Sequence, residues 1–109
     1  MHTNRLILLL LLLTYTVSAS TFYQVQIRNR SLSMLNYKSY STTGRWESSP
    51  AKRIFPLTFS NAISTGSWSS ATYQQGAYVT WGERGCTCKG CDCSVKQKSP
   101  NSWVVDFKC

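Results

Sequence analysis

Polar and apolar residues alternate most cleanly at two places far apart in the chain. Residues 21–28 read T-F-Y-Q-V-Q-I-R, with Tyr23, Val25 and Ile27 on one side and Gln24, Gln26 and Arg28 on the other. Near the C-terminus Trp103, Val105, Phe107 and Cys109 alternate with Val104, Asp106 and Lys108. Successive side chains of an extended backbone point to opposite faces, so both stretches predict half-buried strands. The glycine-bounded run 76–82 sets Ala77, Val79 and Trp81 against Tyr78 and Thr80 and predicts a third. Segments 32–40 and 53–59 alternate less well, and Pro56 removes a ladder donor, which suits edge strands. Segments 39–49 and 60–71 are rich in Ser, Thr and Gly and read as turns and loops. No stretch sustains a helical period. The pattern predicts an all-β fold, a small antiparallel β-sandwich or barrel.

The first residues do not belong to that pattern. Arg5, the unbroken apolar run 6–13 and the small residues Val17, Ser18 and Ala19 form the three parts of a secretory signal. Residues 1–19 are therefore expected to be a signal peptide and 20–109 a single secreted, extracellular β domain. Cleavage removes His2, the sole histidine, and Arg5. The exported part then holds 12 − 1 = 11 basic residues against 4 acids, a charge of 11 − 4 = +7. Such a balance attracts anionic surfaces, and as a scattered charge it also keeps a small domain soluble.

Losing the histidine narrows the chemistry. Ser-His-Asp, Cys-His and histidine-based ribonuclease sites all lack their base. Glu47, Glu83, Asp92 and Asp106 are dispersed, and only Glu47 and Glu83 fall on predicted loops where a carboxylate pair would meet. No phosphate-cradling glycine loop occurs. The expectation is a binding protein rather than an enzyme, without a cofactor and with no nucleic-acid partner.

Cys86, Cys88, Cys91 and Cys93 make a C-x-C-x-x-C-x-C cluster between two predicted strands, and Cys109 closes the chain. Four thiolates within that span suit a tetrahedral zinc or copper(I) shell, which is the alternative reading. Export favours disulfides, because they form and persist in oxidising compartments. Cys109 is then expected to reach back to the cluster, with a second bridge inside it, either Cys86 to Cys91 or Cys88 to Cys93. An odd count leaves one thiol over, open to an intermolecular disulfide and an oligomer.

The candidate binding residues are aromatic and basic. Trp46 and Trp68 lie in Ser- and Gly-rich segments, with Tyr73 and Tyr78 nearby and Arg45, Lys52 and Arg53 interleaved. Such rings suit a membrane interface beside anionic headgroups, and they also stack on sugars. Trp81 and Trp103, on strand faces, are expected in the core. Asn29-Arg30-Ser31 is an N-glycosylation acceptor sequence where the first strand should turn.

The order of these features resembles the aegerolysin and actinoporin-like cytolysins. Val-Gln-Ile-Arg-Asn-Arg-Ser (25–31) followed by Leu35, Gly44-Arg45-Trp46, Pro50, Ile54-Phe55-Pro56, and Gly66 leading to Tyr73 and Gly76 carry the resemblance, within residues 25–78. It implies a β-sandwich that binds particular membrane lipids through aromatic loops, sometimes forming pores, with Trp46, Trp68 and Tyr73 facing lipid. The cysteine cluster and the basic charge depart from that pattern. The function expected is a secreted cytolysin-like or effector-type protein that binds membrane lipids or another target-cell component. The alternatives are a soluble virulence effector that binds a host protein or glycan, and a cationic antimicrobial protein.

Overall fold

A computed structural model describes residues 21–109. The expected signal peptide lies outside the described residues. Among the described residues ten strands follow one another: β1 (Tyr23–Asn29), β2 (Leu35–Thr42), β3 (Trp46–Ser48), β4 (Arg53–Ile54), β5 (Phe59–Ser64), β6 (Trp68–Tyr73), β7 (Tyr78–Gly82), β8 (Gly85–Lys89), β9 (Asp92–Ser99) and β10 (Ser102–Lys108). They form two five-stranded sheets, β3-β5-β1-β10-β9 and β4-β2-β6-β7-β8, in a sandwich-like, all-β arrangement.

The three clearest alternations become β1, β7 and β10. Val25 and Ile27 of β1, Val79 and Trp81 of β7, and Trp103, Val105 and Phe107 of β10 are buried between the sheets. The terminal strands are direct neighbours, and they pair in parallel, with Val25 opposite Trp103 and Ile27 opposite Val105. Parallel neighbours need a long crossover. Here almost the whole domain supplies it, and every other pairing is antiparallel.

Two segments expected as loops are strands. Residues 60–71 hold most of β5 and the start of β6, and 39–49 hold the end of β2 and all of β3. In β5 the usual sense of alternation is inverted: Ala62 and Ser64 are buried while Phe59 is exposed. The buried hydroxyls are satisfied across the sandwich. The Ser69 hydroxyl of β6 lies 2.9 Å from those of both Thr42 and Ser64, which also contact each other, so the three hydroxyls form one hydrogen-bonded ring. A fully paired polar cluster costs little and joins the two sheets there. Segment 53–59 shrinks to the two residues of edge strand β4, ending before Pro56. Leu35 and Asn36 of β2 are covered by β4, so β2 is not an edge there.

The cysteine cluster is not a loop either. It is spread over β8, the turn at Gly90–Cys91 and β9, which are the edge strands of different sheets. Gly90 turns at φ 78° and Cys91 at φ 53°, a left-handed pair that takes the chain from one sheet to the other.

Candidate functional site

The aromatic and basic residues singled out in the sequence do not converge. Tyr73 is 1% exposed, packed toward Phe107 at a ring separation of 6.4 Å. Its hydroxyl is buried without a partner, and burial raises its pKa. Tyr73 is therefore a core residue, not a lipid-facing one. It alternates inward with Ala71 and Ser69 along β6. Trp46 is half-buried at the open edge of the sandwich, where its ring lies 5.6 Å from Tyr40 and 5.8 Å from Trp81. Tyr37 extends this row, 5.3 Å from Tyr40, and Lys52 Nζ stands 6.0 Å from the Tyr37 ring. Since β3 belongs to one sheet and β2 to the other, these rings hold the edge closed. Trp81 is buried, its indole N–H donating to the Tyr23 carbonyl at 3.3 Å, and Trp103 is buried as well.

Trp68, Tyr78, Arg45, Lys52 and Arg53 remain wholly or partly accessible, and the turns that carry Arg45 and Trp68 are joined, Thr65 N donating to Arg45 O at 3.0 Å and Trp68 N to Thr43 Oγ1 at 3.2 Å. Arg45 pairs at the surface with Glu47 at 3.5 Å. Lys52 and Arg53 flank a shallow recess with Asn36, Tyr37 and Gln74. Trp68, 43% exposed, and Tyr78 share the outer face of the second sheet.

The cysteines form Cys88–Cys93 and Cys91–Cys109. Two of the expectations are met: a bridge inside the cluster and one from the C-terminal strand. The tetrathiolate metal shell is overturned, because three of its four thiols are consumed in disulfides. Cys86 is the remaining thiol. It faces inward from β8 opposite Trp81, and burial pushes its pKa up to about 12. A protonated, inward-facing thiol is a poor nucleophile, which argues against an intermolecular disulfide through the odd cysteine.

Asn29 overturns a further expectation. The side chain is 1% exposed, and Nδ2 donates to Ser33 O at 2.8 Å and Ile54 O at 2.9 Å, while Oδ1 accepts from Ser31 N at 2.9 Å. Both amide hydrogens are in use, so no glycan fits on the folded chain. Ser31 is also buried, its hydroxyl accepting from Cys109 N at 2.7 Å. The acceptor sequence is instead a structural knot. It holds the β1–β2 loop, the β4–β5 loop and the C-terminus together at one end of the sandwich.

That end carries the feature missed in the sequence. Leu32 (89% exposed), Phe55 (57%), Leu57 (71%) and Phe59 (57%) protrude from the two loops tied by Asn29. Leu57 sits at φ 60°, at the tip of the β4–β5 turn, where Thr58 N and Oγ1 both donate to Phe55 O. Arg28, Arg30, Leu57 and Phe59 line a groove of about 430 Å3. An adjoining one of about 300 Å3 is lined by Arg30, Leu57, Asp92, Asp106 and Lys108. Asp106 organises the two guanidiniums. Arg28 Nε lies 3.2 Å from Oδ1, an ion pair whose angle falls short of a hydrogen bond, and Arg30 Nη1 lies 3.6 Å from Oδ2. A lone Leu on a polar turn and a Phe at the start of a serine-rich strand were weak signals. Phe55, Leu57 and Phe59 lie two apart in the chain, and what the fold adds is Arg28, Arg30 and Lys108 beside them.

No protein-family model and no curated protein matches the chain.

Proposed function

We propose that this protein is a secreted surface-binding protein that docks on anionic membrane through its Leu57 end. One observation carries the reading: the exposed Leu57 and Phe59 line adjoining grooves with Arg28, Arg30 and Lys108, and Leu32 and Phe55 stand exposed on the two loops tied by Asn29. Monomers rarely leave large apolar patches in water without a partner, and Leu57 and Phe59 line one groove. Apolar tips that enter the acyl boundary, with guanidiniums behind them at headgroup level, suit a membrane surface rather than a protein groove. The two disulfides are consistent with an extracellular site of action. The aromatic loops proposed from the sequence are not needed for this docking.

Sedimentation with phosphatidylcholine vesicles, with and without phosphatidylserine, tests it. Binding should require the anionic lipid and weaken steeply with salt, as exposed charges are screened. Leu57→Asp should reduce it about tenfold or more, since burial of one leucine is worth about 1.5–3 kcal/mol. Arg28→Glu with Arg30→Glu should abolish the lipid selectivity. Absence of binding to either vesicle type, or indifference to Leu57→Asp, would sink the reading.

A further inference from the structure

The outer face of the second sheet is built differently from the rest of the surface. Its cross-strand rows are Ser39–Thr72–Tyr78–Lys89, then Ser41–Ser70–Thr80–Thr87, then Trp68–Gly82–Gly85. Six of the positions named are serine or threonine, and of these Ser70, 7% exposed, is closed to a ligand. None is aliphatic, and the one charge among them is Lys89, at the end of the Tyr78 row away from the Trp68 groove. The opposite faces of the same strands hold the buried Ala71, Tyr73, Val79 and Trp81. The hydroxyl rows are therefore backed by the core beneath them.

At the Trp68 end of this face lies a groove of about 360 Å3, within the size range of small-ligand sites. Trp68 lines one side. Gly82 and Gly85, in register with it, place no side chain beside the indole. Gly82 holds φ 153°, and a Cβ there would strike the Ser67 carbonyl, which already accepts from Glu83 N at 2.9 Å. The bare backbone is thus a requirement of the fold at that point. Thr80 and Thr87, whose hydroxyls are 2.6 Å apart, line the groove together with Glu83 and Arg84, whose charges cancel.

These properties select a ligand class. An apolar ligand would meet hydroxyls, and a strongly charged one would find no net opposite charge in the groove. A sugar ring offers a C–H face to an indole and hydroxyls at its rim, and Ser and Thr both donate and accept. Tyr78 lies four residues from Gly82 along β7, on the strand beside Trp68, which places it roughly 14 Å from Trp68 at ~3.4 Å per residue and ~4.8 Å per strand. Two rings that far apart across a polar face suit an extended chain rather than a single sugar. We propose that the Trp68 groove and the hydroxyl rows leading to Tyr78 bind a neutral, β-linked polysaccharide. This surface is separate from the Leu57 end and does not depend on membrane docking.

Co-sedimentation of the oxidised protein with suspended chitin, cellulose and insoluble β-1,3-glucan tests it, with heparin beads as the acidic comparison. The protein should be retained on at least one neutral polymer and stay bound in 1 M NaCl. Trp68→Ala should weaken retention about tenfold, the order expected for losing one stacked ring, while Trp68→Phe keeps most of it. Tyr78→Ala should weaken binding to polymer. Leu57→Asp should leave it unchanged, which separates this surface from the membrane-docking end. Matching thermal unfolding of wild type and Trp68→Ala shows that the fold is intact. Should Trp68→Ala not fold, Thr87→Val on the exposed rim replaces it, with a loss of retention expected. The inference is overturned if no neutral polymer retains the protein, if only heparin does and salt releases it, or if neither groove variant changes retention.

Discussion

Cys88 and Cys93 stand on the edge strands of two different sheets, and the bond between them fastens one sheet to the other where β8 turns into β9. From within that turn the second bond, Cys91–Cys109, ties the corner to the end of β10. The sandwich is thus closed covalently at one border and by the Tyr37–Tyr40–Trp46–Trp81 rings at the other.

The two bonds should differ in what they contribute. Their sequence separations are 18 for Cys91–Cys109 and 5 for Cys88–Cys93. Loop-closure entropy then gives about 3 kcal/mol for the longer and roughly 2 kcal/mol for the shorter. Urea unfolding of Cys91→Ala/Cys109→Ala and of Cys88→Ala/Cys93→Ala should show that order. A reversed order would mean that joining the sheets outweighs loop length.

Asn29→Ala should destabilise the domain by roughly 3 kcal/mol, about 1 kcal/mol for each of the three side-chain hydrogen bonds removed. Chemical denaturation measures this. Intact mass of the folded protein made in a glycosylating host should show no sugar at Asn29, because the folded amide has no hydrogen to spare.

Alkaline pH should unfold the protein through Cys86 and Tyr73. Both hold their protons more tightly when folded, so the unfolded chain releases protons first as pH rises. Stability is intact below about pH 9, the thiol's ordinary value, and declines as pH climbs toward about 12. Cys86→Ala and Tyr73→Phe should each flatten the decline in a pH series of melting curves. Tyr73→Phe should also gain about 1 kcal/mol at neutral pH by deleting a buried hydroxyl that has no partner. At pH 8, iodoacetamide should label Cys86 slowly in the native protein and rapidly in urea.

Gly90 and Gly76 make a controlled pair. Both have positive φ, 78° and 90°, but a Cβ at Gly90 would strike the Gly76 carbonyl whereas one at Gly76 meets open space. Gly76→Ala should cost about 1–2 kcal/mol from backbone strain alone. Gly90→Ala should cost clearly more, read from the same unfolding curves, since the β8–β9 corner must move to admit it.

Much of the scaffold was legible in the chain, and the reason is local. Alternation in 21–28, 76–82 and 103–109 marks strands because each has one face that must leave water, whatever its neighbours are. The cysteines marked a stapled domain, and the end-strand Cys109 marked one partner of a bridge. Strands β5 and β6 were not legible, because their inward residues Ser64 and Ser69 are small and polar, and only the opposing hydroxyl of Thr42 makes their burial affordable.

The sequence alone determined that strands open and close the described domain, that its charge is strongly basic, and that covalent bridges staple it. Tertiary structure decided which faces are free. Tyr73 and Tyr78 look alike in the chain, yet one is sealed against Phe107 and the other lies on the outer sheet face. Asn29 reads as a glycan acceptor and is a buried tie, while Leu32, Leu57 and Phe59, in segments expected as edge strands, stand exposed to water. Exposure depends on what packs above a residue, and that partner comes from distant positions in the chain.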